Sequence, residues 1–161
     1  MTRSKNGKYF PLIKGSPGPI SFAVQRRVSL SEADVLGITW YGRYPLYFEE
    51  AYQELGRRCG LSYQDFYAAN LRAPIVQFHV DYYQPLRLDE EFTVKASLPW
   101  SEGAKLLSEY EIRKTDGTLV TTAYAIQMFI DSRTEEFYVA TPELVEKVRK
   151  RWQAGEFQCL Q

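Results

Sequence analysis

Asp34, Gly37 and a helix start over Trp40 to Arg43 follow one another closely in a short stretch, and together they carry the chemistry most worth weighing. Asp34 offers a base or a nucleophile. Gly37 permits a tight turn, because glycine reaches positive φ without a Cβ penalty. The first turn of a helix leaves N–H groups without intrahelical partners, and the dipole there favours negative charge. A carbonyl seated at that end would have its oxygen polarised while Asp34 works on its carbon. These are the parts for attack on an acyl group. A purely structural account competes with this one. Asp-x-x-Gly before a helix forms a turn in which the Asp side chain accepts a local amide bond.

The element that must position these groups is a helix over Tyr41 to Cys59. Tyr44, Tyr47, Phe48, Ala51, Tyr52 and Leu55 recur at helical spacing as one apolar stripe, which reads as core. Glu49, Glu50, Gln53, Glu54, Arg57 and Arg58 cover the opposite side, with Glu54 and Arg58 placed as an i,i+4 ion pair. Pro45 lies within the first turn, and Gly60 stands where a left-handed C-terminal cap belongs. Upstream, alternation over Ile20 to Leu30 predicts a first strand, with Arg26 breaking its apolar face. Downstream, Ser62 and Asp65 at capping spacing open a short helix to Asn70.

Four alternating segments come next. Val76, Phe78, Val80 and Tyr82 form one, and Phe92, Val94, Ala96, Leu98 and Trp100 another. Leu106, Ser108, Tyr110 and Ile112 share a face of the third, and Val120, Thr122, Tyr124, Ile126, Met128 and Ile130 a face of the fourth. Period two over such lengths means strands with one covered and one wetter face. Asp116-Gly117 marks a hairpin turn between the last two. Glu136 to Ala140 is read as a short added strand. A final helix opens at Thr141-Pro142-Glu143, with Thr141 as N-cap and Pro142 at the first helical position, and runs to about Trp152. The class is α+β: a curved antiparallel sheet of about five strands around one long helix. Residues 1–18, rich in Lys, Gly and Pro, are expected as an irregular extension that Tyr9, Phe10, Leu12 and Ile13 pin to a surface. The domain is then 19–153, and 154–161 a tail.

Composition narrows the function classes. The chain has 161 residues, a single-domain length, and 20 basic against 20 acidic residues. Zero net charge leaves no footprint for nucleic acid or an anionic membrane. Cys59 and Cys159 lack the spacing of a metal site or a disulfide framework, and Cys59 reads as a small packing residue. No apolar run reaches membrane-span length and no signal-peptide pattern opens the chain, so a cytoplasmic protein is expected. Gly-x-Ser-x-Gly, P-loop and Rossmann fingerprints are all missing. The single histidine, His79, sits mid-strand and is read as structural rather than as part of a triad.

With residues and order in hand, the chain resembles the hot-dog fold, and within it the 4-hydroxybenzoyl-CoA thioesterase family. The matching motif is Asp34-x-x-Gly37-Ile38-x-Trp40-Tyr41-x-x-Tyr44, followed by Phe48-Glu49-x-Ala51. A second match is Tyr82-x-x-Pro85-x-x-x-Asp89, joining the next two strands, and the resemblance spans about Ile20 to Glu146. It implies an acyl-CoA thioesterase in which Asp34 attacks the thioester carbonyl or activates water. The amide of Tyr41 would hold the carbonyl oxygen, with Gly37, Ile38, Trp40 and Tyr44 as substrate contacts. It further implies homodimers or homotetramers with sites at the interface. No metal is implied, and no cofactor other than the coenzyme A carried by the substrate. A related branch, associated with the Tol–Pal envelope system, has His where Tyr41 stands, so Asp34 must act here without that histidine.

Two other assignments share the scaffold: a carrier-protein thioesterase of polyketide type, and a non-catalytic module that binds acyl groups. Fold alone does not choose among them. Asp34 argues against the binding module, which has no need of a carboxylate facing a thioester. Tyr63, Phe66 and Tyr67 are read as core ahead of an acyl pocket, and Arg87 and Lys95 as solvated charges ahead of contacts to coenzyme A phosphates.

Overall fold

The apolar stripe of the long helix needs a sheet to cover it, and the computed structural model, which describes residues 9–158, supplies one of five strands. In chain order the elements are β1 (Ile20–Arg27), α1 (Tyr44–Cys59), α2 (Tyr63–Ala68), β2 (Leu71–Arg72), β3 (Ile75–Tyr82), β4 (Glu91–Leu98), β5 (Lys105–Lys114), β6 (Leu119–Met128), β7 (Ile130–Asp131) and α3 (Glu143–Gln153). The main sheet is antiparallel in the order β1-β4-β5-β6-β3, and β2 pairs with β7 in a separate small ribbon. This is the α+β hot-dog arrangement.

All six stripe residues of α1 are buried. Tyr47 packs against Phe92 of β4 at 4.9 Å between ring centroids, and Phe48 stacks on Tyr110 of β5 at 5.0 Å. Glu54 pairs with Arg58 at 2.8 Å. Gly60 ends the helix at φ 83°, the left-handed cap that its place in the sequence predicts. Leu55 is wholly buried at the centre of this contact. Leu55→Ala is therefore expected to cost about 2–5 kcal/mol, read as a lower denaturant midpoint at unchanged slope. Cys59 is buried too, and burial pushes its thiol up to about 12, so it serves packing. Cys159 lies outside the described residues.

Several local expectations are corrected. β1 stops at Arg27 rather than Leu30, because Val28 turns to exchange backbone bonds with Asp89 and Glu90 while Leu30 enters a solvent-facing 3-10 turn. The long helix begins as a 3-10 turn over Tyr41–Arg43 and becomes α-helical at Tyr44. α2 ends at Ala68, since Asn70 takes a left-handed conformation. β4 ends at Leu98, and Trp100 packs instead on Trp152 of α3 at 5.1 Å. Glu136 to Ala140 makes only one bridge, Phe137 to Ile130; the strand that pairs with β7 is β2. Pro142, not Thr141, is the N-cap of α3, because the Thr141 hydroxyl donates to the Gly103 carbonyl and accepts from Arg149.

The most instructive correction is in β6. Ile112 pairs with Thr121 and Arg113 with Leu119, so Val120 is the extra residue of a bulge. The bulge turns Val120 into the helix-side core with Ala123 and Ala125, while Tyr124 and Ile126 face the other way. Nor is that outer face simply wet. Tyr9 and Phe10 close over Leu107 and Tyr124, with both backbone amides donating to Glu109 and the Tyr9 hydroxyl donating to Asp81 at 2.6 Å. Leu12 and Ile13, expected to help pin this segment, are exposed. His79 joins the same cluster, its ring stacked on Tyr124 and its Nε2 3.1 Å from Asp81. Glutamines, hydroxyls and aromatic edges fill out a structural patch, in keeping with the structural reading of His79.

Candidate active site

Asp34 opens a miniature hairpin. Its N–H donates to the Ile38 carbonyl at 2.8 Å, and Ala33 bridges Thr39 one step further out. Gly37 closes the loop at φ 71°, donating its own N–H to the Asp34 carbonyl at 3.0 Å. A three-residue loop with a left-handed glycine at its last position is a preferred hairpin geometry, so the turn needs Gly37. Asp34 Oδ1 accepts the Leu36 N–H at 2.8 Å, the local bond that the structural account of this residue requires. That bond also holds the side chain against the turn.

The hairpin is not a free loop. The Leu88 N–H donates to the Gly37 carbonyl at 3.1 Å, Ile38 bridges Arg87, and the Thr39 N–H donates to the Leu86 carbonyl at 2.8 Å. The two sequence motifs therefore meet along a backbone ladder, with Leu86 fully buried beneath it. Tyr44 anchors the same junction: it is buried, its hydroxyl accepts the Leu86 N–H at 3.4 Å, and its ring meets Tyr82 edge-on at 5.1 Å. Burial raises the Tyr44 phenol above its ordinary value, so it stays protonated.

The hairpin's return leg leads straight into the helix. The Trp40 N–H donates to the Glu32 carbonyl at 3.1 Å, which ties the start of the first turn to the 3-10 turn that leads into the Asp34 loop. Tyr41 and Gly42 follow as the first residues of the 3-10 turn, where N–H groups have no intrahelical acceptor. The Tyr41 carbonyl accepts the Tyr82 hydroxyl at 3.1 Å, while its side chain is 67% exposed. Trp40 is half exposed, with its ring 5.1 Å from that of Tyr41. Asp34, Gly37, Ile38, Trp40, Tyr41 and Tyr44 thus belong to one unit made of the hairpin and the helix start. This unit carries a carboxylate able to attack a carbonyl and first-turn amides able to hold the oxyanion that forms.

Two supporting residues escape sequence reasoning. Glu32 is nearly enclosed, accepting the Ser29 N–H at 2.8 Å and lying 3.4 Å from Arg26, which also pairs with Glu50. Burial pushes its carboxyl up, but the Ser29 groups and Arg26 outweigh that and hold it below its ordinary value. The signal for it is Arg26, the charge that interrupts an otherwise apolar strand face. Gly42 is the second, and its signal is a glycine in a helical turn that has no need of one. Elsewhere, Phe66 is core, whereas Tyr63 and Tyr67 are exposed along a groove of about 400 Å³ that also takes in Leu71 and Ile130. Lys95 is exposed on β4, remote in sequence from the hairpin, while Arg87 borders it through its backbone. Among the described residues no group of His, Cys, Asp and Glu could hold a metal ion, and no helix is long and apolar enough to cross a membrane.

Comparison with known proteins agrees with this architecture. An acyl-CoA thioester hydrolase of Escherichia coli O6:H1, YbgC, is 25% identical over 105 residues, covering 65% of this chain and 78% of that protein. A 1,4-dihydroxy-2-naphthoyl-CoA thioesterase from Synechocystis superposes with a TM-score of 0.71 at 18% identity, over 81% of this chain and 96% of that one. A Staphylococcus aureus protein solved in complex with CoA gives 0.74 at 21% identity, over 83% and 84%. At such identities these two structures speak for the fold. The model of the thioesterase-like superfamily matches residues 28–151, from the end of β1 through nearly all of α3, and the chain belongs to that superfamily.

Proposed function

We propose that this protein hydrolyses an acyl-CoA thioester to the free acid and coenzyme A. In this reaction the Asp34 carboxylate either attacks the thioester carbon, expelling the thiolate and leaving an acyl anhydride that water then opens to the free acid and Asp34, or takes a proton from a water that attacks the thioester carbon and expels the thiolate. The Tyr41 N–H receives the negative charge that develops on the carbonyl oxygen. The observation that carries this assignment is the backbone pinning of the Asp34 hairpin, by Leu86 and Leu88 on one side and Glu32 on the other, directly ahead of the first helical turn. Preorganised donors of this kind need no rearrangement when charge appears, which is the source of their catalytic value. Membership of the thioesterase-like superfamily and the likeness to a named acyl-CoA thioester hydrolase support the same chemistry.

The test is release of free thiol from a panel of aliphatic and aryl acyl-CoAs, with the same acyl groups on a carrier protein alongside. Turnover of at least one acyl-CoA, faster than its carrier-bound counterpart, is the expected result. No thiol from any acyl-CoA would overturn the assignment, and turnover of carrier-bound thioesters alone would transfer it to the other donor class.

The working unit is a homodimer or larger. β3 is an edge strand of the main sheet, and Ile75, Val76, Phe78 and Tyr82 along it are exposed. An open apolar edge of this kind invites pairing with a second strand. Sedimentation at micromolar concentration is expected to give at least a dimer, with specific activity falling on dilution. A fully active single chain would refute this.

A further inference from the structure

We infer that Gly42 is a positioning residue for the acyl site, its missing side chain providing the seat for the Trp40 indole; the inference deepens the hydrolytic assignment of Asp34 and Tyr41 and rests on it. A Cβ built on Gly42 would lie 2.4 Å from Cη2 and Cζ3 of Trp40 and 2.8 Å from Cε3. Carbon atoms in contact sit roughly 3.5–4.0 Å apart, so any side chain here must evict the ring. Nothing in the backbone asks for glycine. Gly42 is not among the residues with positive φ, and it lies in a helical turn, where alanine is intrinsically the better residue. What glycine supplies at this position is room.

The room matters because of where the ring goes. The indole lies against Gly42 in the first helical turn, with the Tyr41 ring 5.1 Å away at a tilt of 53°. It forms a flat apolar surface on the same turn that carries the Tyr41 amide assigned to the oxyanion. Excluding water from one side of such donors strengthens their interaction with developing charge. Trp40 is also among the substrate contacts that the family resemblance implies, so the position of its ring bears on kcat/KM as well as on kcat. Trp40 is 48% exposed, so its ring can swing toward solvent once the seat is filled.

Gly42→Ala separates this role from a structural one. Alanine suits a helical turn, so the melting temperature is expected to stay level or rise, while kcat/KM for the best acyl-CoA of the panel falls about tenfold or more. In a Trp40→Ala background the same substitution is expected to change kcat/KM by less than about twofold, because the ring it displaces is gone. Tryptophan emission gives a readout independent of turnover. Gly42→Ala should shift it, and the shift should vanish in the Trp40→Ala background, where Trp100 and Trp152 remain. Gly42→Ser, which adds the same Cβ, repeats each measurement should the alanine variant fold poorly. Activity within about twofold of wild type, an equal loss with Trp40 removed, or an emission shift that persists without Trp40 would overturn the inference. A wild-type protein that hydrolyses no thioester would instead strike the hydrolytic assignment, leaving the emission comparison to decide the seat.

Discussion

Asp34→Asn is expected to lower kcat by about 10²-fold or more while leaving the melting temperature nearly unchanged. The two halves of that expectation have separate causes. Asn retains a side-chain oxygen that can accept the Leu36 N–H, as Asp34 Oδ1 does, and it is itself a favoured turn residue. The backbone bonds from Asp34 to Ile38 and Gly37 do not involve the side chain at all. The hairpin should therefore survive. What disappears is the negative charge, and a neutral amide neither adds readily to a thioester carbon nor takes a proton from water. A folded Asp34→Asn protein with wild-type turnover would reduce Asp34 to the turn former that its hydrogen bonds equally describe. Thiol release, read beside a thermal melt, decides between the two.

The second large effect belongs to the backbone of Tyr41. One oxyanion donor is worth roughly 10²–10³ in rate, or about 3–4 kcal/mol. Tyr41→Pro deletes that donor, and the site is well suited to the substitution. Tyr41 opens the helical turn, where the N–H has no intrahelical acceptor, and Trp40 already holds the extended φ −60°, ψ 133° that a residue before proline requires. Turnover should fall to background while circular dichroism stays close to wild type. Tyr41→Phe is the control. The ring is largely exposed and the carbonyl that accepts from Tyr82 is untouched, so activity should remain within about threefold. A Phe variant as impaired as Asp34→Asn would make the hydroxyl a proton or hydrogen-bond donor in the reaction and remove the amide from that role.

Much of the scaffold that carries these residues is legible in the sequence because its rules are local. The stripe from Tyr44 to Leu55 repeats at the helical period, and all six of its residues are buried. Ser62 and Asp65 sit at capping distance and form that box, the Ser62 N–H donating to Asp65 at 2.9 Å. Asp116-Gly117 turns a hairpin between β5 and β6, with Gly117 at φ 85°. Each depends on residues within a turn or two of one another, where propensity and sterics act without help from the rest of the chain.

The candidate site divides along the same line. Its residue types and spacing, Asp34 to Tyr41 ahead of an amphipathic helix, are local, and they suffice to suggest attack on an acyl group. Whether those residues form one rigid unit is not a local matter. Leu86 and Leu88 are distant in sequence, and only the fold brings their backbone groups to Gly37 and Thr39. The strand faces behave likewise. Period two places Val120 and Tyr124 on one side, but the bulge at Val120 divides them, because closing the sheet around α1 demands a local change of register that alternation cannot encode. The outer face reads as wetter in β5 and β6, yet Tyr9 and Phe10 cover it from about a hundred residues away. Gly42 shows the limit most plainly. Its identity is written in the sequence, but its purpose is a void shaped by the neighbouring indole, and a void exists only once the chain has folded.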